Sequence, residues 1–343
     1  MSDIEFKTIQ SNGINLRLAM MGEGPLVIFC HGWPESWYSW RHQIPFLEKL
    51  GYQVAAISVR GYGKSSKPYA IEEYSICKLA SDIEAVIRGL GHESAILIGH
   101  DWGGPIAWTT AIKYPNMVDA VVGLSVPYLP VGAQSSLDLW KQIYKDKYFY
   151  QLYFLNEGLA EKELEKDLLK TFELCYFSND SRGMLFLNKN KDNPKYQKNK
   201  NSGYLEGLPE FSKYPSWLSR NDIDVLIDEF TISGMRGPLN RYRAQDIDFK
   251  ELQELGPKKI TQPAAFITGE HDPVNFFLSG AASKGSFGSL ASIDVKELFN
   301  QILSQNYEDL RMLEVLKNVG HWTQEEAPEE VNQLLKKFLV NLA

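Results

Sequence analysis

Asp101 sits inside ILIGHDWGGPIAW, Ile96 to Trp108, between an apolar run that stops at Gly99 and a helix-like segment that starts around Gly103. A side chain on such a strand-to-helix turn projects from the carboxyl edge of a sheet, where sites in open α/β folds form. The G-x-D-x-G pattern holds a carboxylate where a nucleophile elbow carries serine. The exchange changes the chemistry. Serine attacking a saturated carbon gives an ether that water does not readily cleave. A carboxylate gives an ester whose carbonyl belongs to the protein, and water attack on that carbonyl releases an alcohol. Asp101 therefore points to displacement at an sp³ carbon, not to hydrolysis of carboxylic esters. The plainer reading, an N-cap accepting a backbone N–H, leaves the flanking glycines and the upstream HGWP unexplained.

Cleaving the ester needs a general base, its orienting acid and donors for a tetrahedral oxyanion. His321, in KNVGHWTQEEAPEE, lies between the last strand-like run and the last helix-like one. The chain order nucleophile, acid, histidine fits this architecture. The acid is expected after the preceding strand, where FITGEHDPV supplies Asp272, with Glu270 as its near rival. A carboxylate on the far imidazole nitrogen fixes the tautomer that accepts a proton from water. The backbone N–H groups of Trp33, in CHGWPESW, and of Trp102, directly after Asp101, are the expected oxyanion donors. RGYGKSS lacks the spacing of a phosphate-cradling loop and reads as a turn.

These residues need a sheet to carry them. PLVIFC, YQVAAISV, ESAILIG and VDAVVGLS are short apolar runs separated by helix-length segments, as expected of parallel strands covered on both faces. PAAFITG and LRMLEVLKN read as two more strands, and APEEVNQLLKKFLVNL as a closing helix with Pro328 near its first turn. Between SVPYLPVG and about Leu252 no strand ladder is evident. SSLDLWKQIYKDKYFYQLYF, LAEKELEKDLLKTFELCYF and NDIDVLIDEFTIS read as helical there, and the lysine-rich NKNKDNPKYQKNKNSG as surface loop. The expected organisation is an α/β core in two parts, 1–132 and 253–343, with a helical cap at 133–252.

The 343 residues, 44% apolar and 23% charged, fit a soluble globule with a substantial core. A formal net charge of −7 argues against a nucleic-acid partner. Neither a signal peptide nor a membrane-spanning run is evident, and Cys30, Cys77 and Cys175 read as buried thiols of a reducing compartment. A cytoplasmic protein without membrane contact is expected, and a homodimer is compatible with this reading. No cofactor or metal is implied, since a carboxylate, an imidazole and water suffice.

Taken together, HGWPESWYSWRHQIPFL, RGYGKSS, GHDWGG, DPV and GHWTQEEAPEE resemble the α/β-hydrolase-fold epoxide hydrolases of the soluble type, from about Phe6 to the C terminus and least in the cap. The resemblance implies a mostly parallel central sheet flanked by helices with an inserted helical cap. It also implies addition of water to an epoxide, giving a vicinal diol through a hydroxyalkyl ester. It matches Asp101 to the nucleophile, Asp272 to the acid, His321 to the base, and Trp33 and Trp102 to the oxyanion-hole positions. Members of that family use two cap tyrosines on the epoxide oxygen. FYQLYFLNEG matches the first at Tyr150, with Tyr153 as the alternative, and RGPLNRYRAQ matches the second at Tyr242. Two departures bear on substrate range: Leu155, Asn156 and Glu157 replace a Gln and Pro region, and Arg241 stands where a Trp commonly precedes the second tyrosine. Haloalkane or haloacetate dehalogenases share the aspartyl-ester logic but expel a halide, which needs no proton. A ligand-binding member without catalysis would be expected to lack one of the triad residues.

Overall fold

The computed structural model describes residues 4–256, 258–278 and 294–342. Among them, eight strands form one sheet in the order β1-β2-β4-β3-β5-β6-β7-β8. These are β1 Glu5–Ser11, β2 Ile14–Met21, β3 Leu26–Cys30, β4 Gln53–Ser58, β5 Ala95–His100, β6 Val118–Leu124, β7 Ala264–Gly269 and β8 Leu310–Leu316. The pairs β1/β2 and β2/β4 are antiparallel, and every pairing from β4 to β8 is parallel. Their apolar runs are continuous because both faces are covered. Leu26, Ile28 and Cys30 enter one core with the helices Ile76–Gly89 and Gly103–Lys113, whereas Val27 and Phe29 enter the other with Pro328–Val340.

The first two strands form a hairpin not anticipated above. Ser11 pairs with Ile14 across a two-residue turn, Asn12-Gly13, with φ of 44° and 86°. Positive φ at both central positions is the reason an Asn-Gly pair closes such hairpins.

Between β6 and β7 the described chain is helical and irregular, with no strand. Two of the expected long helices are each broken in two. Ser136–Ile143 and Tyr150–Phe154 are separated by a turn in which the Tyr144 ring stacks on Phe149 at 4.4 Å. Leu159–Leu164 and Leu168–Asn179 are separated because Asp167 caps the second, accepting from the Lys170 N–H. Arg220–Ser233, Arg236–Arg243 and Gln245–Leu255 complete the layer. Its buried Phe154, Phe172, Phe230 and Leu239 join the first of the two cores. The lysine-rich stretch is mostly exposed between 191 and 200, as a surface loop would be, with local exceptions. It starts inside the helix Ser181–Lys189, makes one helical turn at Pro194–Tyr196, and then turns Lys198 inward onto aromatic rings. No described helix is long and apolar enough to cross a membrane. Cys30, Cys77 and Cys175 are free and buried.

Candidate active site

Four parallel strands deliver the expected core residues at their carboxyl ends: Trp33 follows β3, Asp101 follows β5, Asp272 follows β7 and His321 follows β8. Asp101 has φ of 49°, a left-handed conformation that costs a non-glycine residue on the order of 1 kcal/mol. The turn is tight enough that a Cβ at Gly99 would overlap the Gly103 carbonyl, and a Cβ at Gly32 would overlap the Asp101 carboxylate. This explains the glycines of both motifs. Asp101 lies immediately before the helix Gly103–Lys113, whose N-terminal end favours negative charge.

The Trp33 N–H donates to Asp101 Oδ1 at 2.8 Å. Among the described residues no hydrogen bond joins the Trp102 N–H to that carboxylate, although it directly follows Asp101 in the chain. His321 Nε2 faces Asp101 Oδ2 at 3.7 Å, and Nδ1 meets Asp272 Oδ1 at 3.1 Å. Glu270, the rival acid, is turned away and accepts from the Asn318 N–H at 3.1 Å. Burial pushes the His321 pKa down, but Asp272, its hydrogen bond and Asp101 outweigh burial and raise it to about 9. Burial raises the Asp101 carboxyl above its ordinary value, against the opposing pull of His321, His100 and the Trp33 N–H.

Beneath this array lies a buried network that sequence reasoning missed. Glu35 accepts from the Gly32 N–H at 2.6 Å, from His100 Nδ1 at 2.8 Å and from Gln324 Nε2 at 2.9 Å. The other nitrogen of His100 points to the His321 carbonyl at 2.7 Å. With Glu35 ionised, the carboxylate and the carbonyl can only accept, which calls for a donor on both nitrogens of His100, the Ser125 hydroxyl also lying 3.1 Å from Nε2. The titration directions agree. Burial opposes both charges, yet His100 keeps the Glu35 pKa low and Glu35 keeps that of His100 high. His31 is the opposite case: burial lowers its pKa, Nδ1 faces the Gly32 carbonyl at 2.9 Å, and Nε2 accepts from the Val59 N–H. Their only sequence signal is position, His100 directly before Asp101 and Glu35 two residues after Trp33; the contact between them is not written in either motif.

Above Asp101 opens a cavity of about 660 Å³ whose walls include Trp33, Tyr150, Tyr242, Lys198 and His321. The Tyr150 and Tyr242 rings lie 5.9 Å apart, and Tyr242 stands edge-on to Trp33 at 5.9 Å and to Trp102 at 5.3 Å. Burial raises both phenol pKa values, which keeps the O–H groups protonated. Gln151 donates to Tyr150 Oη at 3.1 Å, and Gln245 bridges Gln151 to the Tyr242 carbonyl. Tyr153 is committed elsewhere, donating to Glu163 at 2.7 Å. Arg241 neither lines the mouth nor reaches solvent. It is buried, stacks over Trp102 at 4.8 Å, and bonds to Asp248 and the Tyr74 carbonyl. Among the described residues no cluster of His, Cys, Asp or Glu could hold a metal ion.

Residues 25–328 match the profile of the α/β hydrolase fold family. The chain is 37% identical over 328 residues to bifunctional epoxide hydrolase 2 of Rattus norvegicus, covering 95% of this chain and 54% of that protein. It therefore spans about half the length of that bifunctional relative. Epoxide hydrolase A of Mycobacterium tuberculosis is 34% identical over 343 residues, with 98% of this chain and 97% of that one covered. Among solved structures, the epoxide hydrolase from an endophytic Streptomyces superimposes with a TM-score of 0.87 at 35% identity, covering 100% of this chain and 97% of that one. A family profile matched over residues 25–328, together with relatives more than 30% identical over almost the whole chain, shows that the chain belongs to the epoxide hydrolase family of the α/β hydrolase fold.

Proposed function

We propose that Asp101 attacks an epoxide carbon while Tyr150 and Tyr242 hold the epoxide oxygen, giving a hydroxyalkyl ester that His321 and Asp272 then hydrolyse to a vicinal diol. The observation that carries this reading is the shared lining. Asp101, Tyr150 and Tyr242 line one cavity, both phenols are held protonated by burial, and the Asp101 charge acts on each. In the first step the Asp101 oxygen forms the C–O bond as the ring C–O bond breaks, and a tyrosine O–H supplies the proton the leaving oxygen needs. That oxygen stays in the molecule, so a proton donor serves it better than a halide pocket would.

Charge links the two steps. In the free enzyme Asp101 helps keep His321 protonated. Esterification removes that negative charge, so the imidazolium gives up its proton, which restores the hydroxyl of the tyrosine that protonated the ring oxygen, and the imidazole becomes the neutral base that the second step requires. Water then adds to the ester carbonyl, His321 takes its proton, and the Trp33 and Trp102 N–H groups receive the oxyanion. Collapse expels the diol alkoxide, which His321 reprotonates. A small epoxide and water are the only reactants.

The test is to incubate the His321→Gln variant with styrene oxide and weigh the intact protein. A stable mass gain equal to the whole epoxide, absent in Asp101→Ala, is expected. A gain that survives in Asp101→Ala would overturn the assignment of the nucleophile.

A further inference from the structure

His321 hangs on a backbone segment that a single carboxylate holds from both sides. The Gly320 N–H donates to Glu326 Oε2 at 3.0 Å and the Trp322 N–H to Oε1 at 3.1 Å, so the amides before and after the base share Glu326. Glu326 ends the short helix Thr323–Glu326, whose one turn brings its side chain back over the loop, and its own N–H donates to the Trp322 carbonyl at 2.7 Å. Oε2 also takes the Ser181 N–H, at 3.0 Å, from the start of the cap helix Ser181–Lys189. Loop and cap meet backbone to backbone there, since a Cβ at Gly320 would overlap the Ser181 nitrogen. The neighbouring Glu325 carboxylate is turned to Arg41 instead.

These three partners of the Glu326 carboxylate are all N–H donors, and an ionised carboxylate is acceptor-only. An amide in its place would turn an NH2 group towards at least one of them. Burial lifts the Glu326 pKa to about 7, with the N–H groups opposing burial and Asp180 adding to it. A plain cap of the short helix would need only the Trp322 N–H; the bonds to Gly320 and Ser181 go beyond that duty. The two chemical steps ask different things of this loop. In ring opening His321 acts on Asp101 through its charge, 3.7 Å away, and a small tilt of the ring changes little. In ester hydrolysis Nε2 has to come within hydrogen-bond reach of a water placed on the ester carbonyl, which tolerates far less displacement.

We propose that Glu326 is a positioning residue for the hydrolytic step, setting His321 through the amides on either side of it and tying that loop to the cap through Ser181. The inference rests on the epoxide-hydrolase reading and adds a residue to its second half. The experiment follows styrene oxide with wild type, Glu326→Gln and Glu326→Asp at a pH about one unit above the Glu326 pKa, where the carboxylate is mostly ionised. Rapid-quench mass measurements in single turnover give the rates of ester formation and ester hydrolysis, and steady-state assays give kcat and KM. Glutamine keeps the length and removes the charge; aspartate keeps the charge and draws it back by one methylene. Both variants should slow ester hydrolysis by at least about tenfold and leave ester formation within about twofold of wild type. The ester then accumulates, and kcat and KM fall together while kcat/KM is kept. A general loosening of the fold would lower kcat/KM as well, so this split separates positioning from mere stability. Circular dichroism shows which variants are folded, and either one alone decides. Equal loss in both steps, loss of formation alone, or wild-type hydrolysis in a folded variant overturns the proposal. If wild type forms no ester with styrene oxide, the reading beneath it fails instead.

Discussion

Replacing Asp101 with asparagine should lower the pKa of His321 by about two to three pH units, and this change is the core of the two-step scheme. Asparagine keeps the shape of the side chain and removes its charge, as ester formation does. His321 Nε2 lies 3.7 Å from Asp101 Oδ2. At an effective dielectric constant of about 20, a pair at this distance is worth roughly 4 kcal/mol, and each pH unit corresponds to about 1.4 kcal/mol. Starting from about 9, the imidazole should titrate near 6 to 7 in the variant, with Asp272 still in place. The sign matters for stability too. A histidine whose pKa is raised in the fold stabilises fully below about 6.5 and loses that contribution as pH rises towards 9. Wild-type stability should therefore carry a falling component across that window, and Asp101→Asn should lack most of it. NMR titration of histidine-labelled protein reads the pKa, and denaturant melts at several pH values read the linkage. A His321 that still titrates near 9 in the variant would refute the idea that esterification releases the base.

Other substitutions probe the remaining parts of the site. Phenylalanine at Tyr150 or at Tyr242 should each cost about 10²–10³ in kcat for ring opening; the double variant should form no ester in single-turnover mass measurements. Glu35→Gln leaves the His100 imidazolium without its counter-ion and should destabilise the fold by about 3 kcal/mol, seen as a lower denaturation midpoint at unchanged slope. Gly32→Ala puts a methyl group onto the Asp101 carboxylate, so activity should fall at least about a hundredfold, as expected when a reacting atom is misplaced, while circular dichroism stays that of the folded protein.

The core was legible because its chemistry and its fold obey short-range rules. Parallel strands covered on both faces must be apolar throughout, and a sharp turn must carry glycine, so β3 to β8 and the elbow could be read from local patterns. Lone expectations on loops fared according to what anchored them. His321 and Asp272 meet at 3.1 Å, as chain order suggested. Glu35 and His100 were overlooked because their roles come from a contact 65 residues apart that no local pattern encodes. The cap was least legible. Its helices are short and end where a capping Asp167 or a Tyr144–Phe149 stack intervenes, and helical periodicity runs across such breaks. Lys198 belongs to a polar stretch that reads as surface, and only the fold packs its ammonium against the Tyr148 and Tyr204 rings.

The proposed reaction would divide its groups between two layers. Its nucleophile and base would come from the sheet and its phenols from the cap, so catalysis would depend on how those layers are joined. The join runs through the base itself. The His321 N–H donates to the Asn179 carbonyl at 2.9 Å, and the Trp322 indole stacks on Tyr176 at 4.2 Å while donating to its carbonyl. Glu326 accepts from the Gly320 and Trp322 N–H groups on the base loop and from the Ser181 N–H on the cap. Cap displacement would therefore strain the loop that holds His321 before it removed the tyrosines. A second tie adjoins the first: Arg41 of the core bonds to Glu325, next to Glu326, and pairs with Asp222 of the cap at 3.3 Å, while Tyr38 donates to the same Asp222 carboxylate. With these ties in place, Tyr242 keeps its edge-on contacts with Trp33 and Trp102, the residues whose N–H groups would receive the oxyanion in the proposed reaction. The phenols and the oxyanion donors are thus held to one frame, which is what preorganised stabilisation of two successive negative charges requires.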